Sequence, residues 1–225
     1  MAGERLADRV TPPQATIRRL SIYLRCLNSL EQRGIKVISS QDLAGHLDLN
    51  PAQVRKDLAF FGEFGKRGVG YPVPKLRDHL NKILGLQKRR HVAIVGAGGR
   101  LGHALTLYKG FERRNFKVVA LFDKDPNVIG QVVGDAGPIY HISEIPRLVR
   151  QLAIEMVVLT VPAEAVQELY DYVVLSGVKA VLNFAPVNLN STGEICVHNV
   201  DLAMELEYLS YHLTRHELGL PLKAF

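Results

Sequence analysis

Cysteine is scarce in this 225-residue chain, which has two. Cys26 and Cys196 stand alone, with no partner at a ligand or disulfide spacing, so neither a disulfide framework nor a zinc site has support. Long apolar runs are missing as well: nothing approaches the roughly 20 residues that a membrane span requires. No apolar h-region follows the early, mixed charge of the N-terminus. These absences set the expectation of a cytoplasmic protein that neither spans a membrane nor carries a secretory signal. The histidines form no constellation; His212 and His216 can share a helix face, yet they complete no ligand set, and no metal is expected. Acid is in short supply in the first ninety residues, where 17 Lys+Arg face 8 Asp+Glu, whereas residues 91 to 225 hold 11 against 14, within a chain of net charge +6. The front of the chain is therefore suited to a polyanion. An apolar content of 47% is ample for compact cores, and the length fits two domains.

The most informative stretch is His91-Val92-Ala93-Ile94-Val95-Gly96-Ala97-Gly98-Gly99-Arg100-Leu101-Gly102-His103-Ala104-Leu105. It reads as a β-branched strand, a glycine turn and a helix start, the shape of a dinucleotide-phosphate cradle. One glycine allows the tight turn, another lets backbone amides approach a pyrophosphate, and a third lets the helix pack on the sheet. The helix N-terminus adds N–H donors and the positive end of the dipole. The spacing is G-x-G-x-x-x-G, one residue longer than the usual fingerprint. Either the turn is longer by one, or Ala97 and Gly99 take the first two places while the strand runs on through Gly96. The longer turn is favoured, because Gly96 closes the apolar run. Candidate cofactor residues here are Gly96, Ala97, Gly98, Gly99, Arg100, Leu101 and Gly102.

A second strand, Lys117 to Phe122, ends in Asp123, where a Rossmann unit places the acid that receives the ribose hydroxyls. An acid there repels a 2′-phosphate, so NADH/NAD+ is expected and NADP(H) is not. Beyond it, Ser143 to Gln151 (helix), Glu155 to Val161 (strand), Pro162 to Ser176 (helix) and Val178 to Asn183 (strand) continue the alternation of a doubly wound parallel sheet. Ligands meet such sheets at strand carboxyl ends, which makes Thr160-Val161-Pro162 and Asn183-Phe184-Ala185-Pro186 candidate rim segments, with Phe184 able to stack on a flat ring.

In the basic front, Thr16 to Gln32 reads as a helix, with Ile17, Leu20, Leu24, Leu27 and Leu30 at helical spacing. Ser39 or Ser40 can cap a second helix carrying Leu43, Ala44 and Leu47. Asn50 caps a third, with Pro51 at its first position. This is a helix-turn-helix in size and punctuation. On the third helix Val54, Leu58 and Phe61 share a core face, which turns Gln53, Arg55 and Lys56 outward. Gln pairs with adenine, Arg with guanine, and Lys meets phosphate. Gly65-Lys66-Arg67-Gly68-Val69-Gly70-Tyr71 is a glycine-flanked basic hairpin tip, a wing whose Lys66 and Arg67 would contact phosphate. Ser40 and Gly68 complete the expected DNA-binding set. Pro74 to Gly85 reads as a connecting helix, and Gln87-Lys88-Arg89-Arg90 as a polar basic junction.

Over nearly its whole length the chain resembles the Rex family of redox-sensing transcriptional repressors. The resemblance rests on Gln53 to Leu58, Phe61 to Tyr71, the glycine turn, Leu159-Thr160-Val161-Pro162-Ala163 and Leu182-Asn183-Phe184-Ala185-Pro186. It implies an α/β protein in which an N-terminal winged helix-turn-helix domain (1–86) is followed by a Rossmann-like doubly wound parallel sheet (87–199). It also implies a C-terminal segment, 200–225, whose helix from Val200 to His216 is exchanged between the subunits of a homodimer. The expected partner is double-stranded DNA bearing an inverted-repeat operator, released by NADH. Resemblance further suggests that Asp201 answers Arg25 and Tyr108, exchanging partners with ligand state. Leu202, Leu206, Leu209 and Leu213 recur at helical spacing and read first as a packing seam.

Two other classes stand beside this one. An NAD-dependent dehydrogenase would need a substrate domain with an acid/base residue, and the Rossmann portion consumes the chain after Arg90, so no enzyme is expected. A CoA- or nucleotide-binding interaction module is the other, against which Asp123 favours a dinucleotide. On the DNA side, Arg55→Ala should remove sequence preference worth roughly 1–3 kcal/mol, while Lys66→Ala should weaken all duplexes alike and reduce the salt slope by about one. Electrophoretic titrations over a salt series check both, and full operator preference in Arg55→Ala would show that this helix does not read bases.

Overall fold

The computed structural model describes residues 12–66, 68–190 and 195–221. The chain divides into two compact units between Gln87 and Lys88.

In the first unit, α1 (Gln14–Gln32) buries Leu20, Tyr23, Leu24, Leu27 and Leu30 along one face. The Ser39 hydroxyl accepts from the Asp42 amide at 3.0 Å and caps α2 (Ser40–Leu47), so Ser40 is the first helical residue. Asn50 caps α3 (Pro51–Ala59) by accepting from the Ala52 amide at 2.8 Å, with Pro51 where no amide donor is needed. Two short strands, β1 (Val37–Ile38) and β2 (Tyr71–Pro72), pair antiparallel at the base of the hairpin. The segment read as a connector is α4 (Val73–Ile83), and it is a core element: Val73, Leu76 and Leu80 are fully buried in one cluster with the leucines of α1. Their i, i+3, i+7 spacing is an apolar stripe that needs a bed. Each fully buried leucine contributes about 1.5–3 kcal/mol.

One charge sits inside this unit. Asp57 of α3 is fully buried and accepts from Arg19 Nε at 2.5 Å and Nη2 at 2.8 Å, from the Tyr23 hydroxyl at 2.7 Å, from Thr16 Oγ1 at 3.1 Å and from Gln53 Nε2 at 2.8 Å. Burial opposes its ionisation, but the hydrogen bonds from Arg19, Tyr23 and Gln53 outweigh that and hold the carboxyl below the usual range. Burial, reinforced by the bond to Asp57, pushes the Tyr23 phenol up.

The second unit is a six-stranded, wholly parallel sheet. Its strands are β3 (Arg90–Val95), β4 (Phe116–Asp123), β5 (Ile139–His141), β6 (Met156–Leu159), β7 (Ala180–Asn183) and β8 (Cys196–Asn199), in the order β5-β4-β3-β6-β7-β8. The connecting helices are α5 (Arg100–Thr106), α6 (Ile145–Gln151) and α7 (Ala163–Leu175). Alternation along the strands separates two faces. Ala93, Val95, Phe122, Leu159 and Val181 pack with Leu148 and Val149 of α6 and with Leu169, Tyr170 and Val173 of α7. Val92, Ile94, Leu121 and Val158 form the other face, joined by Leu105 of α5, with Leu182 and Phe184 half-buried beside it. The chain then enters α8 (Leu202–Glu217), which buries none of its residues.

Because the Asp57 pKa is lowered by folding, its contribution is present above the ordinary carboxylate pKa of about 4 and is lost as pH falls below it. Asp57→Ala leaves Arg19 and Tyr23 without their acceptor and should cost about 3–5 kcal/mol at neutral pH. The gap between variant and wild type should narrow toward about pH 3. Urea unfolding at both pH values checks this; equal stability at neutral pH would show that the buried pair contributes nothing.

Candidate nucleotide cleft and nucleic-acid interface

The two crossovers that leave β3 and β6 run in opposite directions, so the carboxyl ends of these neighbouring strands open a crevice. The glycine turn lines it. β3 stops at Val95, and Gly96 adopts a φ of +87°, which places the extra residue in the turn rather than in the strand. A Cβ on Gly96 would lie 2.7 Å from the Thr160 carbonyl oxygen, and one on Gly102 would lie 2.2 Å from the Gly96 carbonyl oxygen. Gly102 therefore holds the position at which a helix crosses closest to its strand. Thr160 locks the crossing, its hydroxyl donating to the carbonyls of Val95 at 2.9 Å and Gly96 at 3.2 Å.

The amides of the turn are unequally available. Gly96 and Ala97 both donate to the Phe122 carbonyl, Gly99 donates to that of Gly96, and Gly98 donates to the Asp123 carboxylate at 2.8 Å. Arg100, Leu101 and Gly102 begin α5, and first-turn amides have no acceptor within their own helix. Of the seven candidates, these three present the donors suited to an anion, while fully buried Ala97 shapes the turn from within.

Asp123 ends β4 half-exposed, with one oxygen on Gly98 and the other accepting from the amides of Lys124 at 2.8 Å and Asp125 at 3.1 Å. Its position is fixed by backbone, ready to receive hydroxyl donors beside the turn. A cleft of about 180 Å³ is lined by Gly96, Gly99, Asp123, Thr160, Val161 and Pro162 among others. The second rim segment lies outside that lining. Asn183, read as a cofactor contact, is fully buried and serves the loop instead: its amide donates to the Val187 carbonyl at 2.7 Å and to Asn199 Oδ1 at 2.9 Å, and its oxygen accepts from the Ala185 amide. Buried amides need every partner they can reach. Ala185 is buried with it, Pro186 is exposed, and Phe184 sits half-buried on the sheet face opposite α6 and α7.

In the first unit, a concavity of about 680 Å³ opens between the start of α2, α3 and the hairpin; Ser40, Arg55, Lys66, Gly68 and Tyr71 line it. Arg55 donates to Ser40 Oγ at 3.0 Å, which aims the guanidinium into the opening. Lys56 is exposed beside it. At the hairpin tip the Lys66 carbonyl accepts from the amides of Val69 at 3.0 Å and Gly70 at 3.1 Å. Gly70, at a φ of +99°, brings its backbone so near Ile38 that a Cβ would lie 2.5 Å from the Ile38 oxygen. Arg67 lies outside the described residues. Gln53 does not turn outward: its amide donates to Asp57 one helical turn on. A buried acid at i+4 draws the polar group inward, and Asp57, which carried no signal beyond its own charge, is the organising residue that the sequence left unmarked.

The proposed switch residues occupy three separate settings. Arg25 is exposed on α1. Tyr108, 59% exposed, packs edge-on against Phe111. Asp201 caps α8 by accepting from the Ala203 amide at 2.8 Å. Among the described residues no cluster of His, Cys, Asp and Glu could hold a metal ion, and no helix is long and apolar enough to cross a membrane.

A family model described as "Putative DNA-binding protein N-terminus" matches residues 12–59, and one described as "CoA binding domain" matches residues 87–187. The redox-sensing transcriptional repressor Rex of Desulforamulus reducens is 44% identical over 91% of this chain and 97% of its own length. That of Desulfitobacterium hafniense is 46% identical over 89% and 95%. Among solved structures, RSP in complex with beta-NAD+ and operator DNA is 34% identical and superposes with a TM-score of 0.87 over 94% of this chain and 96% of that one. RSP in complex with beta-NADH gives 32% and 0.84, over 94% and 98%. An N-terminal DNA-binding domain joined to a Rossmann-type domain defines a two-domain transcription regulator. This chain belongs to the Rex family of redox-sensing transcriptional repressors, whose members are regulators and not enzymes.

The crossing at Gly102 has no room for a methyl group. Gly102→Ala should destabilise the second unit by about 1–3 kcal/mol through overpacking against Gly96 and Thr160. Calorimetry of the full chain reads this out, and an unshifted transition would mean that α5 can lift from β3 without cost.

Proposed function

We propose that this chain is a cytoplasmic repressor that holds operator DNA through its first domain and is released when NADH binds its second. The observation that carries the reading is the joining, in one chain, of an arginine-bearing concavity beside a basic hairpin to a crevice whose acid is already fixed against the glycine turn. The structure of RSP with beta-NAD+ and operator DNA, alike over nearly the whole chain, supports it. Arg55 reads base edges; Lys56, Lys66 and Arg67 meet phosphate, with Ser40 and Gly68 shaping the approach. Arg100 to Gly102 receive the pyrophosphate and Asp123 the adenosine ribose, while Thr160, Val161 and Pro162 form the rim. Phe184 lies at the second rim segment and is the aromatic candidate for the nicotinamide.

The apolar residues of α8 support a homodimer with exchanged C-terminal helices. Leu206 is 68% exposed and Met204 63%, more apolar surface than a single helix ordinarily leaves open. Two first domains related by a two-fold axis then read an inverted repeat whose half-sites lie about one helical turn apart or a multiple of it. The division near Gln87 supports domains at 1–86 and 87–199, with 200–225 as the exchanged segment. In that dimer Asp201 has Arg25 and Tyr108 as its alternative partners.

NADH and NAD+ differ by a hydride and a charge at one ring, so release requires that NADH prefer the DNA-free arrangement. A complete switch needs a preference of about 10⁴-fold, or about 5.5 kcal/mol. Linkage makes the effect reciprocal: operator must weaken NADH binding by the factor that NADH weakens operator binding. Calorimetric titration of NADH with and without operator should therefore show strong negative coupling in the wild type. Asp201→Asn, which keeps a capping side chain for α8 and removes the charge, should show much less. Equal NADH affinity with and without DNA would overturn the sensor reading, and tighter binding of CoA than of NADH would favour the module that the second family model describes.

A further inference from the structure

Helix α3 is nine residues long, and its fully or nearly fully buried apolar residues are Val54 and Leu58. Apolar contacts are non-directional, and two of them restrain a short helix only weakly against rolling about its axis. Roll matters here, because consecutive side chains point about 100° apart, and a modest rotation would carry Arg55 out of the concavity it shares with Ser40 and Lys66. The directional restraint is Asp57. Its two oxygens take five hydrogen bonds, four of them from Thr16, Arg19 and Tyr23 on a single face of α1, and one from Gln53 on α3 itself. A buried ion pair adds little net stability, and apolar side chains of similar volume often serve as well or better. What they cannot supply is an angle.

We propose that Asp57, clamped by Arg19 and Tyr23, is the positioning group of the DNA reader. It fixes the roll of α3 so that Arg55 faces the opening between α2 and the hairpin, and it withdraws Gln53 from that opening. Base readout on this helix then falls to Arg55, and Gln53 belongs to the clamp. This inference rests on the proposed DNA-binding function.

The test uses the full chain as wild type, Asp57→Asn, Tyr23→Phe and Gln53→Ala. Each is titrated with an operator selected from a randomised duplex pool and with a scrambled duplex of the same length. The titrations run over a salt series, at a temperature where circular dichroism shows the protein folded. Asp57→Asn and Tyr23→Phe should lose about tenfold or more on the operator, the scale of one well-placed base contact. Their affinity for the scrambled duplex should hold, with a salt slope altered by less than the 0.9 or so of one phosphate contact. Gln53→Ala should lower operator affinity without erasing the preference for any single base. A folded Asp57→Asn that binds the operator like the wild type overturns the proposal; where that variant does not fold, a folded Tyr23→Phe decides in the same way. Equal losses on both duplexes overturn it too, as does loss of an adenine preference at one operator position in Gln53→Ala. A wild type with no preference between the duplexes would bring down the repressor reading and this inference with it, whereas a failure in the variants alone touches only the clamp.

Discussion

Parallel strands cannot be joined by tight turns, and every crossover must leave from one end of the sheet and return over a face. In the second domain this constraint fixes the place of the cleft. The crossover from β3 leads to β4 on one side, while β6 and its successors lie on the other. The carboxyl ends of β3 and β6 are therefore left uncovered between diverging connections. Into that gap come a turn that only glycine can make, a threonine hydroxyl that ties the two strand ends together, and an aspartate carried in from the end of β4. The close crossing of Gly102 over Gly96 sets the start of α5 against the carboxyl end of β3, next to the crevice that Gly96 and Gly99 line. The chemistry of the site follows from topology, with few residues asked to do more than fit.

The first domain obeys a different logic. Its core of leucines and valines could be repacked in several registers without large loss, and a small helical unit built on such contacts alone would be stable without being exact. The buried carboxylate supplies what the apolar core lacks, a set of bonds with fixed directions. Leaving water is costly for a charge unless it is paired and hydrogen-bonded, so the arrangement holds only when α1 and α3 meet at one angle. Gly70 and Gly65 impose a similar exactness on the hairpin, since side chains there would collide with Ile38 and Tyr71 respectively.

Much of this was legible in the residues. The run from His91 to Gly102 announces strand, turn and helix because glycine spacing and β-branched residues carry physical meanings that context rarely reverses. Asn50-Pro51 marks the start of α3 equally plainly. β5 and β8 went unread: three and four residues respectively, with histidine in both and asparagine in the latter, they have no periodicity to detect and owe their form to neighbouring strands. Gln53 reads as outward because a carboxylate such as Asp57, beside the Val54, Leu58 and Phe61 face, is marked as buried only by its donors, and those lie 34 to 41 residues away. Asn183 was misplaced for the related reason that a polar residue at a strand end looks like a ligand contact until its loop is closed around it. Long-range polar satisfaction is the link that sequence patterns do not carry.

Sensing one hydride requires an element with two arrangements of nearly equal free energy. The sheet is a poor candidate: both of its faces are close-packed, and packed cores resist continuous deformation. The DNA reader is no better if Asp57 fixes it to α1, because it then moves as a body or not at all. Among the described residues, those to which their own chain gives few buried contacts include α8 with its open apolar face, the half-buried Phe184 that follows β7, and the exposed Tyr108. A neutral ring and a charged one differ in what surroundings they favour, and such surroundings can be formed or withdrawn cheaply only by groups that are not already committed.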